Sequence, residues 1–221
     1  MTDTLRAILF DFDGTLADSY AAITASVNHV RAAHGLPPLP EDEVRRHVGR
    51  GPAYLLEHTV PGADLATDWP RYRAHHPSVM ESGTRLLPGA VEALAAVRRA
   101  GCLIGVCSNK PRAFTVRLLA HLKLSVDLVL GPEDVAHPKP APDMLLTALE
   151  RLGIAANEVL YIGDMTVDIQ TARAAGVSVW VVPTGSDERA ALEAAHPDRV
   201  LRDLHELVDL LPAGTTKPRP A

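Results

Sequence analysis

Short, largely apolar runs alternate along this chain with longer segments whose apolar residues fall three and four apart. The runs are residues 5–10, 102–107, 127–130, 159–162 and 177–182. Their length and lack of polar alternation suit strands buried on both faces. Helical periodicity fills the intervals between the last four. The order strand, helix, strand predicts an α/β fold built on a doubly wound parallel sheet. Right-handed crossovers then bring the carboxyl ends of the strands to one edge, where open sheets of this type take their ligands.

Between the first two runs the pattern changes. Residues 11–101 far exceed one crossover, so an insertion is expected there. Its first helix starts near Asp18-Ser19, carries Ile23, Val27, Val30 and His34 at helical spacing and stops at Gly35. Residues 36–40 read as a turn, 41–47 as a second helix and Gly49-Arg50-Gly51-Pro52 as a break. Further helical pieces run to about Met80, and Pro88-Gly89 reads as a helix start. Residues 212–221 have no core-forming pattern and are expected to be a flexible tail.

Composition narrows the function classes. The 221 residues carry 22 basic and 27 acidic side chains, a net charge of −5, which argues against nucleic acid as the main partner. No apolar stretch approaches the roughly 20 residues of a membrane span, and Met1-Thr2-Asp3-Thr4 leads into a strand without a leader pattern. Cys102 and Cys107 fall in one strand at odd separation, so they point to opposite faces. A disulfide between them is implausible, and two buried thiols fit the reducing cytoplasm. A monomer or homodimer is expected. Ten histidines show no pair with zinc-site spacing, and His75-His76 reads as surface.

Chemistry-bearing residues cluster where strands end. The first run closes abruptly on Asp11 and Asp13, and Gly14 breaks the strand at once. Two adjacent carboxylates call for a cation or a shared proton. The second run stops at Ser108-Asn109-Lys110-Pro111. Lys139 lies in the Pro-punctuated loop His137-Pro138-Lys139-Pro140, and the fourth run ends in Gly163-Asp164 with Asp168 four residues on. Taken singly, Asp11 and Asp13 also suit a solvated turn, Ser108 and Asp164 a helix cap, and Lys139 a loop charge.

In that order the four segments Asp11-Phe-Asp13-Gly-Thr-Leu16, Ser108-Asn109-Lys110-Pro111, Lys139-Pro-Ala-Pro142 and Gly163-Asp164-Met-Thr-Val-Asp168 resemble the haloacid dehalogenase-like hydrolase superfamily, in its phosphoglycolate phosphatase-like branch. The resemblance covers residues 5 to about 210. It departs at Met165, where relatives often carry a small polar residue. It implies a Rossmann-like core over residues 1–17 and 86–211 and a helical cap over 18–85, with hinges near 16–19 and 82–87.

The resemblance also implies a reaction. Asp11, held most rigidly by its strand, attacks phosphorus to give an aspartyl phosphate. Asp13 protonates the leaving oxygen and later deprotonates water. Ser108, Asn109 and Lys139 bind the phosphoryl oxygens. Mg²⁺ fits a hard oxygen site with few carboxylates, held by an Asp11 oxygen, the Asp13 carbonyl and Asp164. Asp168 orients Lys139 or a metal-bound water, or is an exposed first-turn acid favoured by the helix dipole. Arg50 grips a second anionic group of the substrate, or is an exposed turn residue.

The expected substrate is a small soluble phosphate ester, 2-phosphoglycolate first among them. Sugar phosphates, nucleotides, pyrophosphate and a sugar-phosphate mutase activity remain alternatives. Dehalogenases of this fold lack an acid at the place of Asp13. Phosphonoacetaldehyde hydrolysis needs a cap lysine, and residues 14–87 contain none. A signalling receiver domain would be shorter and lack the insertion.

Overall fold

A computed structural model describes residues 5–211; the expected tail at 212–221 and the first four residues lie outside them. The chain enters through strand β1 (Ala7–Phe10) and strand β2 (Ala17–Asp18). The insertion follows as helices α1 (Tyr20–Ala33), α2 (Glu41–Arg45), α3 (Pro52–Thr59) and α4 (Leu65–His75). Strand β3 (Arg85–Leu86) returns it, followed by α5 (Ala90–Arg99), β4 (Leu103–Cys107), α6 (Arg112–His121), β5 (Leu128–Leu130) and α7 (Asp143–Leu152). The remainder is β6 (Val159–Gly163), α8 (Thr166–Ala175), β7 (Ser178–Val181), α9 (Arg189–Ala194), β8 (Arg199–Val200) and α10 (Leu204–Leu210).

Six strands form one parallel sheet in the order β5-β4-β1-β6-β7-β8. The five expected strands are all present, each within two residues of its expected bounds. The sixth, β8, was not anticipated: Arg199 and Val200 add only two residues at the sheet edge. β1 lies at the centre, every residue buried, because both its faces are covered. Ile8 and Phe10 pack into one core, with the insertion and α5, while Ala7 and Leu9 pack into the other, with α7 and α8. Cys102 and Cys107 are both free and buried in opposite cores, as their odd spacing requires.

β2 and β3 pair antiparallel, Ala17 opposite Leu86 and Asp18 opposite Arg85. The chain therefore leaves for the four-helix insertion and returns from it through adjacent strands. An Arg85–Asp18 contact of 2.7 Å spans the pair. No helix among the described residues is long and apolar enough to cross a membrane.

Candidate active site

The site starts from the end of β1. The Asp11 amide still donates to the Ile162 carbonyl at 2.9 Å, so Asp11 keeps strand geometry, and its side chain is 3% exposed. Its Oδ1 accepts from the Phe12 amide at 2.7 Å. Gly14 then takes φ +84°, in the left-handed region that favours glycine. The Gly14 amide donates to the Ala17 carbonyl, and the amides of residues 15–17 all donate to the Phe12 carbonyl. This tight turn carries Asp13 away from the Asp11 direction. Its carboxylate accepts instead from the Ser19 hydroxyl and from Lys110 Nζ, at 3.0 and 3.1 Å.

Lys139 sits beside Asp11. Its Nζ lies 2.8 Å from Asp11 Oδ2 and 2.8 Å from Asp168 Oδ1, and it donates to the Tyr161 hydroxyl at 2.9 Å. That hydroxyl reaches Asp168 Oδ1 at 3.0 Å. Asp168 Oδ2 accepts from the amides of Asp164 and Met165 at 3.1 and 3.0 Å, closing the first turn of α8 in the manner of a capping box. Asp168 is wholly buried. The exposed first-turn acid is therefore excluded, and its carboxylate orients Lys139.

Asp164 is also wholly buried. The Thr15 hydroxyl donates to its Oδ1 at 2.6 Å, whereas its Oδ2 has no hydrogen-bond partner. The space around that oxygen is kept by glycines: a Cβ on Gly185 would stand 1.5 Å from it and one on Gly14 2.4 Å. Oxygens of Asp11, Asp164 and Asp168 all lie within 4.8 Å of one another. Three carboxylates against the single Lys139 ammonium leave two negative charges when all are ionised (3 − 1 = 2). Burial, only partly offset by Lys139, pushes Asp11 up to about 6. Burial, with Asp168 and Asp11 nearby, pushes Asp164 well above the usual carboxylate range. Burial alone would lower the Lys139 ammonium, but Asp11 and Asp168 outweigh it and hold it above its ordinary value. An unpartnered buried oxygen, glycine-cleared space and a two-charge deficit together fit a divalent, oxygen-seeking cation.

Ser108, 2% exposed, directly follows β4, and its nearby hydroxyl works against the burial effect on the Asp11 carboxyl. The Asn109 side chain joins two loops of the site. Its Nδ2 donates to the Lys139 and Gly49 carbonyls at 2.9 and 3.1 Å, and its Oδ1 accepts from the Lys139 amide at 3.0 Å. Asn109 thus ties the Lys139 loop to the Gly49 turn, and it also lines the cavity beneath the insertion.

The insertion supplies the roof. A cavity of about 40 Å³ is walled by Asp11, Asp13, Ser108 and Lys110 from the sheet edge, by Phe114 of α6, and by Ile23, Val48, Leu55, Tyr72 and His76 from above. By the usual allowance per water this is room for roughly three waters. Two contacts hold the roof down. Arg45 of α2 donates to the Thr184 and Gly185 carbonyls at 2.7 and 2.8 Å and lies 4.2 Å over the Tyr20 ring. Gly49, at φ +104°, lets the Met165 thioether sit where its Cβ would be, 2.1 Å from Sδ. Met165 is thus a contact between core and insertion.

One residue corrects the sequence reading and two extend it. His76 is not surface but 1% exposed, stacked on Tyr72 at 5.2 Å and set against Phe114 at 5.0 Å. His75 is only partly buried, so the expectation fails for His76 in particular. Arg50 is exposed, lies 5.3 Å over the Tyr54 ring and is not among the residues walling the cavity. Lys110 and Tyr161 were not singled out from sequence, yet each touches a site carboxylate. The signal for Lys110 was its place directly after Ser108-Asn109; for Tyr161, a hydroxyl inside an otherwise apolar strand.

Comparison with known proteins decides the family. Residues 8–182 match the model of the haloacid dehalogenase-like hydrolases. The chain belongs to that family. As a haloacid dehalogenase-like hydrolase it is 32% identical to the phosphoglycolate phosphatase of Escherichia coli (strain K12) over 96% of this chain and 93% of that protein. It is 36% identical to the Rhodospirillum rubrum phosphoglycolate phosphatase over 81% and 80% of the two chains. A haloacid dehalogenase-like hydrolase structure from Bacteroides fragilis superposes with TM-score 0.87 at 34% identity, covering 92% of this chain and 99% of that one. This hydrolase is a phosphoric monoester hydrolase of the phosphoglycolate phosphatase-like branch.

Proposed function

We propose that this hydrolase cleaves 2-phosphoglycolate through an aspartyl phosphate on Asp11. The observation that carries the reading is the convergence of Asp11, Asp13, Ser108 and Lys110 on one small roofed cavity, in a chain whose relatives are phosphoglycolate phosphatases. An Asp11 oxygen forms a bond to phosphorus as the ester oxygen departs with a proton from Asp13. Water then attacks the aspartyl phosphate, giving its proton to Asp13 and releasing phosphate and free Asp11. Lys139 and Ser108 meet the phosphoryl charge, and Asp168 and Asn109 hold Lys139 at its post. Mg²⁺ held by Asp11, Asp164 and the Asp13 carbonyl would supply positive charge to the transferring group.

Residues 18–85 act as the cap that excludes bulk water, and the smallness of the cavity favours a small leaving group. Lys110, the cation of the cavity wall, holds the Asp13 carboxylate. The free buried cysteines suit a cytoplasmic protein. The test is a comparison of kcat/KM over phosphoglycolate, β-glucose 1-phosphate, pyrophosphate and nucleoside monophosphates. Phosphoglycolate is expected to lead by about 10-fold, the factor given by roughly 1.4 kcal/mol in the transition state. Another ester leading by that margin, or isomerisation of β-glucose 1-phosphate, rejects the substrate.

A further inference from the structure

None of the steps above uses His76, although its ring walls the cavity and is 1% exposed. Its hydrogen-bonding state follows from one hydroxyl. Ser26 Oγ lies 3.0 Å from the Ala22 carbonyl, 2.9 Å from His76 Nδ1 and 3.3 Å from His75 Nδ1. A hydroxyl has one hydrogen and two lone pairs. All three bonds form together in only one way: Ser26 donates to the Ala22 carbonyl, and both imidazoles donate to Ser26 from Nδ1. A serine hydroxyl on its own i−4 carbonyl is a common helical arrangement.

A neutral imidazole carries one N–H, so His76 Nε2 is left with a bare lone pair. Burial, Lys110 and His75 keep the ring neutral, lowering its pKa to about 3. Nε2 is buried and has no hydrogen-bond partner, and a buried acceptor without a donor is costly. Tyr72 and Phe114 flank the ring and offer it no hydrogen bond. The partner that answers this atom is a hydrogen-bond donor, and on the leaving group of a phosphate ester the common donor is an O–H. A carboxylate would set lone pair against lone pair, so the glycolate carboxylate is not its complement.

We propose that His76 Nε2 accepts a hydrogen bond from a hydroxyl group on the leaving group, making small hydroxyalkyl phosphates a second substrate class. His76 is then a specificity-determining residue of the cap. The proposal rests on Asp11 as the phosphoryl acceptor but not on 2-phosphoglycolate as the substrate.

The test compares 2-hydroxyethyl phosphate with 2-fluoroethyl phosphate. The two are nearly the same size, fluorine donates no hydrogen bond, and the fluoro alcohol is the better leaving group. A preference for the hydroxyl compound therefore has to come from binding. Wild-type enzyme is expected to favour it by roughly tenfold in kcat/KM, and His76→Phe to bring the ratio to about one or below. Ser26→Ala, which frees the ring to take the other tautomer, is expected to lower the ratio as well. A wild-type ratio at or below one overturns the proposal without any variant, and so does a ratio that survives His76→Phe. Hydrolysis of phosphoglycolate with no hydroxyl preference rejects the role of His76 alone. A hydroxyl preference with no hydrolysis of phosphoglycolate rejects that substrate and upholds His76.

Discussion

Lys110 Nζ stands 3.0 and 3.1 Å from the two oxygens of Asp13, with its side chain only 4% exposed. The residue proposed as general acid is thus held by a buried ammonium that begins the turn into α6. Lys110→Met is expected to lower kcat about tenfold or more on every ester, a part of the 10²–10⁴ that general acid–base catalysis contributes. Steady-state kinetics on phosphoglycolate and ethyl phosphate check this. An unchanged kcat with KM raised for phosphoglycolate alone would assign Lys110 to the substrate carboxylate instead of Asp13.

Asp11 makes stability fall as pH rises. Its folded pKa of about 6 lies above the ordinary aspartate value of 3.8, so between these values the folded protein holds a proton that the unfolded chain has released. Stability is therefore highest below the unfolded value and is lost as pH climbs through about 6. The raised Asp164 acts with the same sign. In chelator, the melting temperature is expected to be higher near pH 5 than near pH 7.5, and Mg²⁺ to restore it at the higher pH. Asp11→Asn is expected to fold, to melt with a weaker pH dependence and to lose turnover by several orders of magnitude. Hydrolysis of p-nitrophenyl phosphate within tenfold of wild type would rule out attack by Asp11.

Around Asp164 the chemistry rests on glycines as well as on the acid. Asp164→Ala is expected to raise the Mg²⁺ concentration needed for half-maximal activity sharply, and full activity in EDTA would reject the metal assignment. Gly185→Ala, whose Cβ would fall 1.5 Å from Asp164 Oδ2, is expected to act the same way without removing any ligand. His75→Ala leaves the requirement unchanged. Titration of activity against Mg²⁺ separates the three.

Arg50 is not among the residues lining the cavity and lies over Tyr54. Arg50→Ala is accordingly expected to change kcat/KM by less than about threefold, and by equal factors for phosphoglycolate and ethyl phosphate. This is the range of an exposed cation–π contact of roughly 0.5 kcal/mol. A selective loss on phosphoglycolate would return Arg50 to the substrate.

What could be read from sequence follows how local each cause is. Asp11, Ser108 and Asp164 were legible because each directly ends an apolar run, and a parallel sheet carries such ends to one edge. Lys139 was legible from its loop, but its ion pair with Asp168, 29 positions away, was not, so the burial of Asp168 stayed undecided. His76 was misjudged because its surroundings come from α1, whose Ser26 lies 50 positions earlier, and from Phe114 of the core. Its four-residue spacing from the apolar face of Tyr72 was the one local hint. β8 and the β2–β3 pair are two residues long, too short for any periodicity to register.

Arg45 grasps the carbonyls of Thr184 and Gly185, and the same Gly185 backs the unpartnered oxygen of Asp164. One piece of chain is therefore shared between the latch of the roof and the wall of the acidic cluster. Any ligand that shifts Gly185 on binding at Asp164 does work on the Arg45 contacts, and reciprocity requires the converse: the closing of the roof alters affinity at Asp164 by the same factor. Occupancy at the cluster and entry of an ester beneath the roof are, on this linkage, a single thermodynamic cycle.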